Sequence, residues 1–102
     1  MTAPAFDEII HNPVRLRACA MLAGLERAAF PVLRDELGVS DSVLSKHLAT
    51  LEEVGYVTLS KATSNGRLRT SVGLSPEGRA AYAAHVTALR LIVAGDATSS
   101  TA

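Results

Sequence analysis

The chain has 102 residues, the size of a single domain, and 48% of them are hydrophobic while 20% are charged. This apolar share is enough to bury a core, which argues against global disorder. Ten basic and ten acidic residues give a formal net charge of zero, which disfavours the strong non-specific attraction to polyanions that very basic proteins show.

The first third of the chain predicts a short turn and then a helix. Residues 6–10 are long enough to form one or two helical turns, which we expect there. Asn12 and Pro13 predict a helix start, because asparagine caps helices and proline at the first helical position loses no needed N–H. The helix is predicted to run to about Ala23 and to end at Gly24.

A pair of helices joined by a three-residue turn is predicted next. Phe30–Leu37 is predicted as a short helix, with a proline in its first turn and Gly38 after its end. Ser40 is expected to cap a longer helix from Asp41 to about Val54, whose leucines share one face. Two short helices joined by a turn that contains glycine are typical of a helix-turn-helix.

The hydrophobic period changes from helix to strand after this pair. In Tyr56–Lys61 and in Leu68–Leu74, apolar residues alternate with polar ones, as they do in half-buried strands. Between the two stretches lies Asn65-Gly66, which is the strongest short signal for a hairpin turn. The sequence therefore predicts a β-hairpin directly after the helix pair.

A last helix is predicted after the hairpin. Ser75–Glu77 supplies a cap, a proline at the first helical position and an acidic residue in the first turn. The helix is predicted to run to about Ala94. The order helix, helix, helix, hairpin, helix predicts a mainly α fold with a β-hairpin wing, an α+β winged helix-turn-helix.

We expect one domain over residues 1–102, with a core at about 6–94 and disorder at 1–5 and 96–102. The single Cys19 lies in an apolar helical stretch, where a small buried side chain is expected. No apolar run approaches membrane-spanning length, and the acidic start does not resemble a signal peptide. A cytoplasmic protein without a membrane partner is therefore expected.

The outward face of the third helix is the first candidate binding surface. Serine and threonine can bond bases or phosphates, lysine can reach a guanine edge or a phosphate, and small residues let a helix enter a groove. The residues on this face are Ser42, Ser45, Lys46 and Ala49, with Thr50 to the side. An ordinary solvated helix face shows the same residue types, so this pattern alone does not decide.

The hairpin is the second candidate. Acidic residues are absent from Val54–Pro76, while this stretch contains Lys61, Arg67 and Arg69. The two arginines share the face opposite Leu68. A basic loop beside a recognition helix is placed to hold phosphate or to enter the minor groove. A solvated charged turn is the alternative interpretation.

These segments resemble a known family. Ser40–Leu48 followed by Leu51–Val57 is similar to the recognition-helix region of winged-helix regulators of both the MarR-like and the ArsR-like groups. The chain also resembles a short single-domain class of these regulators, at His11–Leu16 and at Arg69-Thr70 followed by Leu74–Arg79. The resemblance implies transcriptional regulation, usually by a homodimer on palindromic DNA. By position it implies major-groove contacts from Ser42, Val43, Ser45 and Lys46, and wing contacts from Arg67 and Arg69.

Departures from the family limit what the resemblance implies. ArsR-like metal sensors carry paired cysteines near the recognition helix, and this chain has none there. Larger MarR-like proteins frame a ligand pocket with longer terminal helices, so a small-molecule effector stays unknown. We expect no metal, no cofactor and no enzymatic activity, because no catalytic or phosphate-loop motif is present. The histidines His11, His47 and His85 also lack metal-ligand spacing.

The last helix and the N-terminal segment predict a homodimer. The apolar stripe of the helix is wider than one neighbouring helix covers, and a two-fold contact would bury it twice. The expected interface residues are Phe6, Ile9, Ile10, Tyr82, His85, Val86, Leu89, Ile92 and Val93. Packing of these residues onto their own domain is the alternative.

The expected function is sequence-specific DNA binding by a transcriptional regulator. The third helix is expected in the major groove, and the hairpin wing on the backbone or in the minor groove. The alternative is a winged-helix module that binds protein without binding DNA, since a fold does not determine a function. The zero net charge keeps this alternative open.

Overall fold

The computed structural model describes residues 5–95. The disorder predicted for the two ends therefore falls, apart from Ala5, outside the described residues. The elements are α1 Pro13–Ala23, β1 Ala28–Ala29, α2 Phe30–Leu37, α3 Asp41–Glu53, β2 Val57–Ser64, β3 Arg67–Leu74 and α4 Pro76–Val93. This order confirms the predicted winged helix-turn-helix architecture.

Side-chain caps determine where three of the four helices begin. The Asn12 carboxamide oxygen accepts from two backbone N–H groups in the first turn of α1, at 3.0 and 3.1 Å. The hydroxyls of Ser40 and Ser75 each accept one N–H in the first turns of α3 and α4. These short polar side chains satisfy N–H groups that have no partner within the helix.

The three strands form an antiparallel sheet in the order β1-β3-β2. The hairpin turns at Asn65 and Gly66, whose φ angles of 52° and 75° are those of a turn that only such residues adopt easily. Strand β1 pairs with β3 only at Ser71 and Val72. The sequence did not predict β1, because two residues carry no measurable periodicity.

One hydrophobic core holds the helix pair, α1 and the base of the hairpin together. The predicted leucine face of α3 is confirmed, since Leu44, Leu48 and Leu51 are all buried. Cys19 is buried too, as expected, and burial raises the pKa of its thiol to about 11. No helix between residues 5 and 95 is both long enough and apolar enough to cross a membrane.

Candidate nucleic-acid interface

Because the leucines of α3 are buried, the opposite face of the helix is turned toward solvent. Of the residues predicted on this face, Ser42, Val43, Ser45, Lys46 and Ala49 are exposed and Thr50 is half-buried. The Thr50 hydroxyl donates to the Lys46 carbonyl at 3.2 Å, so its proton is used within the helix. The remaining side chains form a surface of mostly small residues with one lysine near its middle.

Arg15 links α1 to α3. Its guanidinium donates to Nδ1 of His47 at 2.9 Å and to the Ile9 carbonyl at 2.5 Å. Partial burial and then the nearby Arg15 charge lower the pKa of His47, so the neutral ring that accepts this bond is favoured. The sequence indicated no role for Arg15.

The register of the hairpin divides its three basic residues between two faces. Arg67 and Arg69 lie opposite Ser64 and Ala62 on one face, as the alternation predicted. Lys61 lies opposite Thr70 on the other face. The structure therefore brings the two arginines together and separates Lys61 from them.

Half of the basic side chains are engaged in holding the fold. Arg17 donates to carbonyls at the end of α2, and Arg79 donates to carbonyls at and beyond the end of α1. Arg27 bonds to Ser71 and Thr58 across the sheet. Together with Arg15 and Arg34, these make five of the ten basic residues.

The side chains of the other basic residues have no hydrogen-bond or ion-pair partner among residues 5–95. They are Lys46, Lys61, Arg67, Arg69 and Arg90. Four of these five lie on α3 and the hairpin, and only Arg90 lies on α4. A neutral protein thus concentrates its available positive charge on two adjacent elements, which is an arrangement that attracts phosphate.

Arg34 is a feature of this region that the sequence did not reveal. Its Nη1 lies 2.8 Å from a carboxylate oxygen of Asp41, and its Nε lies 2.9 Å from one of Asp35. These bonds to Asp35 and Asp41 raise the pKa of the already strongly basic guanidinium. The ion pair with Asp41 joins the end of α2 to the start of α3.

The predicted dimer surface separates into exposed and buried parts. Phe6, Ile92 and Val93 are 37%, 63% and 87% exposed. The half-buried members are Ile9, Tyr82, Val86 and Leu89. Ile10 and His85 are fully buried within their own chain, so a partner could touch them only if the segment above them moved.

A cluster of polar groups explains why His85 is buried. The Tyr56 hydroxyl donates to the Asp7 carboxylate at 2.6 Å, which raises the pKa of Tyr56 to about 12. His11 Nδ1 lies 3.3 Å from His85 Nε2, and the Phe6 ring packs against both imidazoles. Among residues 5–95, no three histidine, cysteine or acidic side chains are grouped to hold a metal.

The chain matches known proteins over most of this architecture. Residues 14–93 match the family described as a winged helix DNA-binding domain. An uncharacterized protein of Methanocaldococcus jannaschii is 36% identical over 75 residues, which are 74% of this chain and 82% of that protein.

Solved structures show the same fold. A transcriptional regulator homologue from Pyrococcus horikoshii is 27% identical, covers 87% of this chain and 88% of its own, and superposes with a TM-score of 0.82. Mb0332 from Mycobacterium bovis is a homodimeric winged helix-turn-helix DNA-binding domain and a possible ArsR-family regulator. It is 21% identical over 89% of this chain and 76% of its own, with a TM-score of 0.59, a likeness in fold alone. The resemblance to winged-helix regulators is thereby confirmed.

Proposed function

From the premise that this chain belongs to the winged helix DNA-binding domain family, we propose that it regulates transcription by placing α3 in the major groove of duplex DNA. The β2–β3 hairpin then contacts the phosphate backbone or the adjacent minor groove. The family consists of DNA-binding regulators and not of enzymes.

The distribution of unpartnered cations supports this proposal. Lys46 on α3 and Arg67 and Arg69 on the hairpin are solvent-exposed, and their side chains have no hydrogen-bond or ion-pair partner among residues 5–95. Long side chains of this kind reach phosphates, or guanine edges where a helix lies in the groove. Lysine is depleted from protein interfaces whereas arginine is enriched there, so Lys46, and not the two arginines, argues against a protein-binding surface.

The small residues of α3 are assigned to base contacts. Ser42 and Ser45 offer hydroxyls that bond base edges or phosphates, and Val43 offers an apolar contact for a thymine methyl group. Ala49 lies about one turn beyond Ser45, with Thr50 next to it, and these small residues allow the helix to approach closely. Lys61 lies on the opposite face of the hairpin, and we assign it a weaker and longer-range attraction to the DNA phosphates.

The functional unit is proposed to be a homodimer. The end of α4 exposes Ile92 and Val93, and Phe6 adds apolar surface from the N-terminal segment. The Mycobacterium bovis domain of the same fold is homodimeric. Two copies would present their α3 helices to half-sites about one DNA turn, or roughly 34 Å, apart.

A titration with duplex DNA tests the function. Wild-type protein is mixed with labelled duplexes selected from random sequence, and affinity is measured at several salt concentrations. We expect affinity to fall steeply with salt, because each neutralised phosphate releases counterions. Absence of duplex binding at low salt would instead favour the protein-binding alternative.

A further inference from the structure

A cleft of about 340 Å³ separates the helix pair from the hairpin. Its walls come from α2, from the start of α3 and from the first half of β3. The lining residues are Phe30, Pro31, Arg34, Asp41, and 67–70. Because β1 pairs only with Ser71 and Val72, no described strand covers this edge of β3.

The charges around this cleft favour an anion. Three arginines, Arg34, Arg67 and Arg69, line it together with one carboxylate, that of Asp41. Arg34 is paired with that carboxylate at 2.8 Å and with Asp35 at 2.9 Å. The side chains of the two hairpin arginines have no hydrogen-bond or ion-pair partner among residues 5–95, so the cleft keeps a positive excess that comes from them.

The geometry of Arg34 suits it to bind a phosphate oxygen. Asp35 and Asp41 hold its Nε and Nη1 from two directions, which fixes the plane of the guanidinium. A guanidinium carries five N–H donors, so donors remain after these two bonds. The side chain is 31% exposed, so an approaching anion can reach it.

We propose that this cleft binds a backbone phosphate of duplex DNA, with Arg34 as a direct ligand and Asp41 as the residue that positions it. The inference rests on the proposed function and adds to it a contact from α2. One phosphodiester held between α2 and β3 would join the surfaces of α3 and the hairpin into a continuous interface. Free inorganic phosphate has the same chemistry but lacks those flanking contacts.

The test uses Arg34→Ala, with Arg90→Ala as the matched control. Arg90 is an exposed arginine on α4 whose side chain has no hydrogen-bond or ion-pair partner among residues 5–95. Arg34→Gln is made as well, because it keeps most of the side chain if the alanine variant unfolds early. Thermal unfolding and molar mass are measured for each variant, so that DNA affinities are compared between folded proteins of the same assembly.

Affinity is measured for a duplex that the wild-type protein selects. We expect Arg34→Ala to weaken binding about tenfold, as loss of a charge-assisted hydrogen bond does, and to reduce the salt slope by about one. Arg90→Ala should leave both unchanged. Inorganic phosphate at millimolar concentration should neither bind detectably nor compete, whereas saturable binding by it would overturn the assignment to DNA.

A scan of the duplex then tests direct contact. Each phosphate in turn is replaced by an uncharged methylphosphonate. We expect one position at which this replacement lowers the DNA affinity of the wild-type protein but not that of Arg34→Ala or Arg34→Gln. If methylphosphonate replacement lowers the DNA affinity of both variants as much as that of the wild type at every position, Arg34 contacts no phosphate and the inference is wrong.

The two proposals fail in different ways. If the wild-type protein binds no duplex, the proposed function fails and this inference fails with it. If Lys46→Ala weakens binding while Arg34→Ala does not, the function stands and only the phosphate site is wrong.

Discussion

The backbone N–H of Asp7 donates to Nδ1 of His85 at 2.9 Å, across 78 positions of the chain. A nitrogen that accepts a hydrogen bond cannot carry a proton, so the ring proton of neutral His85 lies on Nε2. That nitrogen faces His11. The N-terminal segment is thereby fastened to α4 by a bond that requires His85 to be neutral.

Acid is therefore expected to destabilise the fold. Burial first, and then neighbouring His11, lower the pKa of His85 below its ordinary 6.5, against a smaller opposing effect from Asp7 and Glu8. The unfolded chain then takes up the proton first, so stability is complete above about pH 6.5 and is lost as pH falls through the pKa of the folded state. Urea midpoints from pH 8 to 5 measure this loss.

The matched variant for this prediction is His85→Gln. Glutamine can accept from Asp7 and donate to His11, but it does not titrate. We expect the variant to show a flatter profile, with a residual slope from His47, whose pKa is also lowered. A slope as steep as that of the wild type would assign the acid sensitivity to other groups.

Lys46→Ala is expected to weaken binding to the selected duplex without unfolding the protein. Lys46 is exposed, and its side chain makes no hydrogen bond or ion pair in the described part of the chain. If it contacts only phosphate, the salt slope should fall by about one unit. Fluorescence anisotropy at four salt concentrations measures both quantities, and equal affinity at matched salt would remove Lys46 from the interface.

The double variant Arg67→Ala with Arg69→Ala is expected to lower affinity for many sequences alike. Phosphate contacts position a protein without specifying bases, so the preferred sequence should change little. Lys61→Ala, on the opposite face of the hairpin, should have a smaller effect. Selection from random duplexes checks this, and a changed preference without general loss would show that the wing recognises bases.

Val93→Asp is expected to convert a dimer to a monomer. Val93 is 87% exposed, so the change should alter monomer stability by no more than about 0.5 kcal/mol. Val32→Asp is the control, because Val32 is 54% exposed on α2 and is not among the predicted interface residues. Light scattering at micromolar concentration decides, and a wild-type protein that is already monomeric contradicts the proposed dimer.

Gly78→Ala is expected to destabilise the fold. A Cβ at position 78 would collide with the backbone carbonyl of Tyr56, and backbone cannot move aside cheaply. Overpacking of this kind costs about 1–3 kcal/mol. Gly24→Ala is the control, since its Cβ would meet only the Met21 carbonyl at an ordinary 3.9 Å. Unfolding midpoints of the two variants should differ clearly, and equal values would contradict the packing argument.

The sequence by itself determined the helices and the hairpin. The caps Asn12, Ser40 and Ser75, the turn at Asn65-Gly66 and the leucine face of α3 all act between residues a few positions apart. Such local signals are visible in the order of residues, and the exposed face of α3 follows from the leucines that it buries.

Only the tertiary structure decided which charged groups are available. Arg79 is occupied by carbonyls 54 and 56 positions away, Arg15 by His47 on another helix, and His85 by Asp7. The register of the hairpin separates Lys61 from the two wing arginines, and the cleft beside Arg34 exists only where α2 meets β3. Partners of this kind are distant in sequence and meet only when the chain folds, so no pattern of neighbouring residues could reveal them.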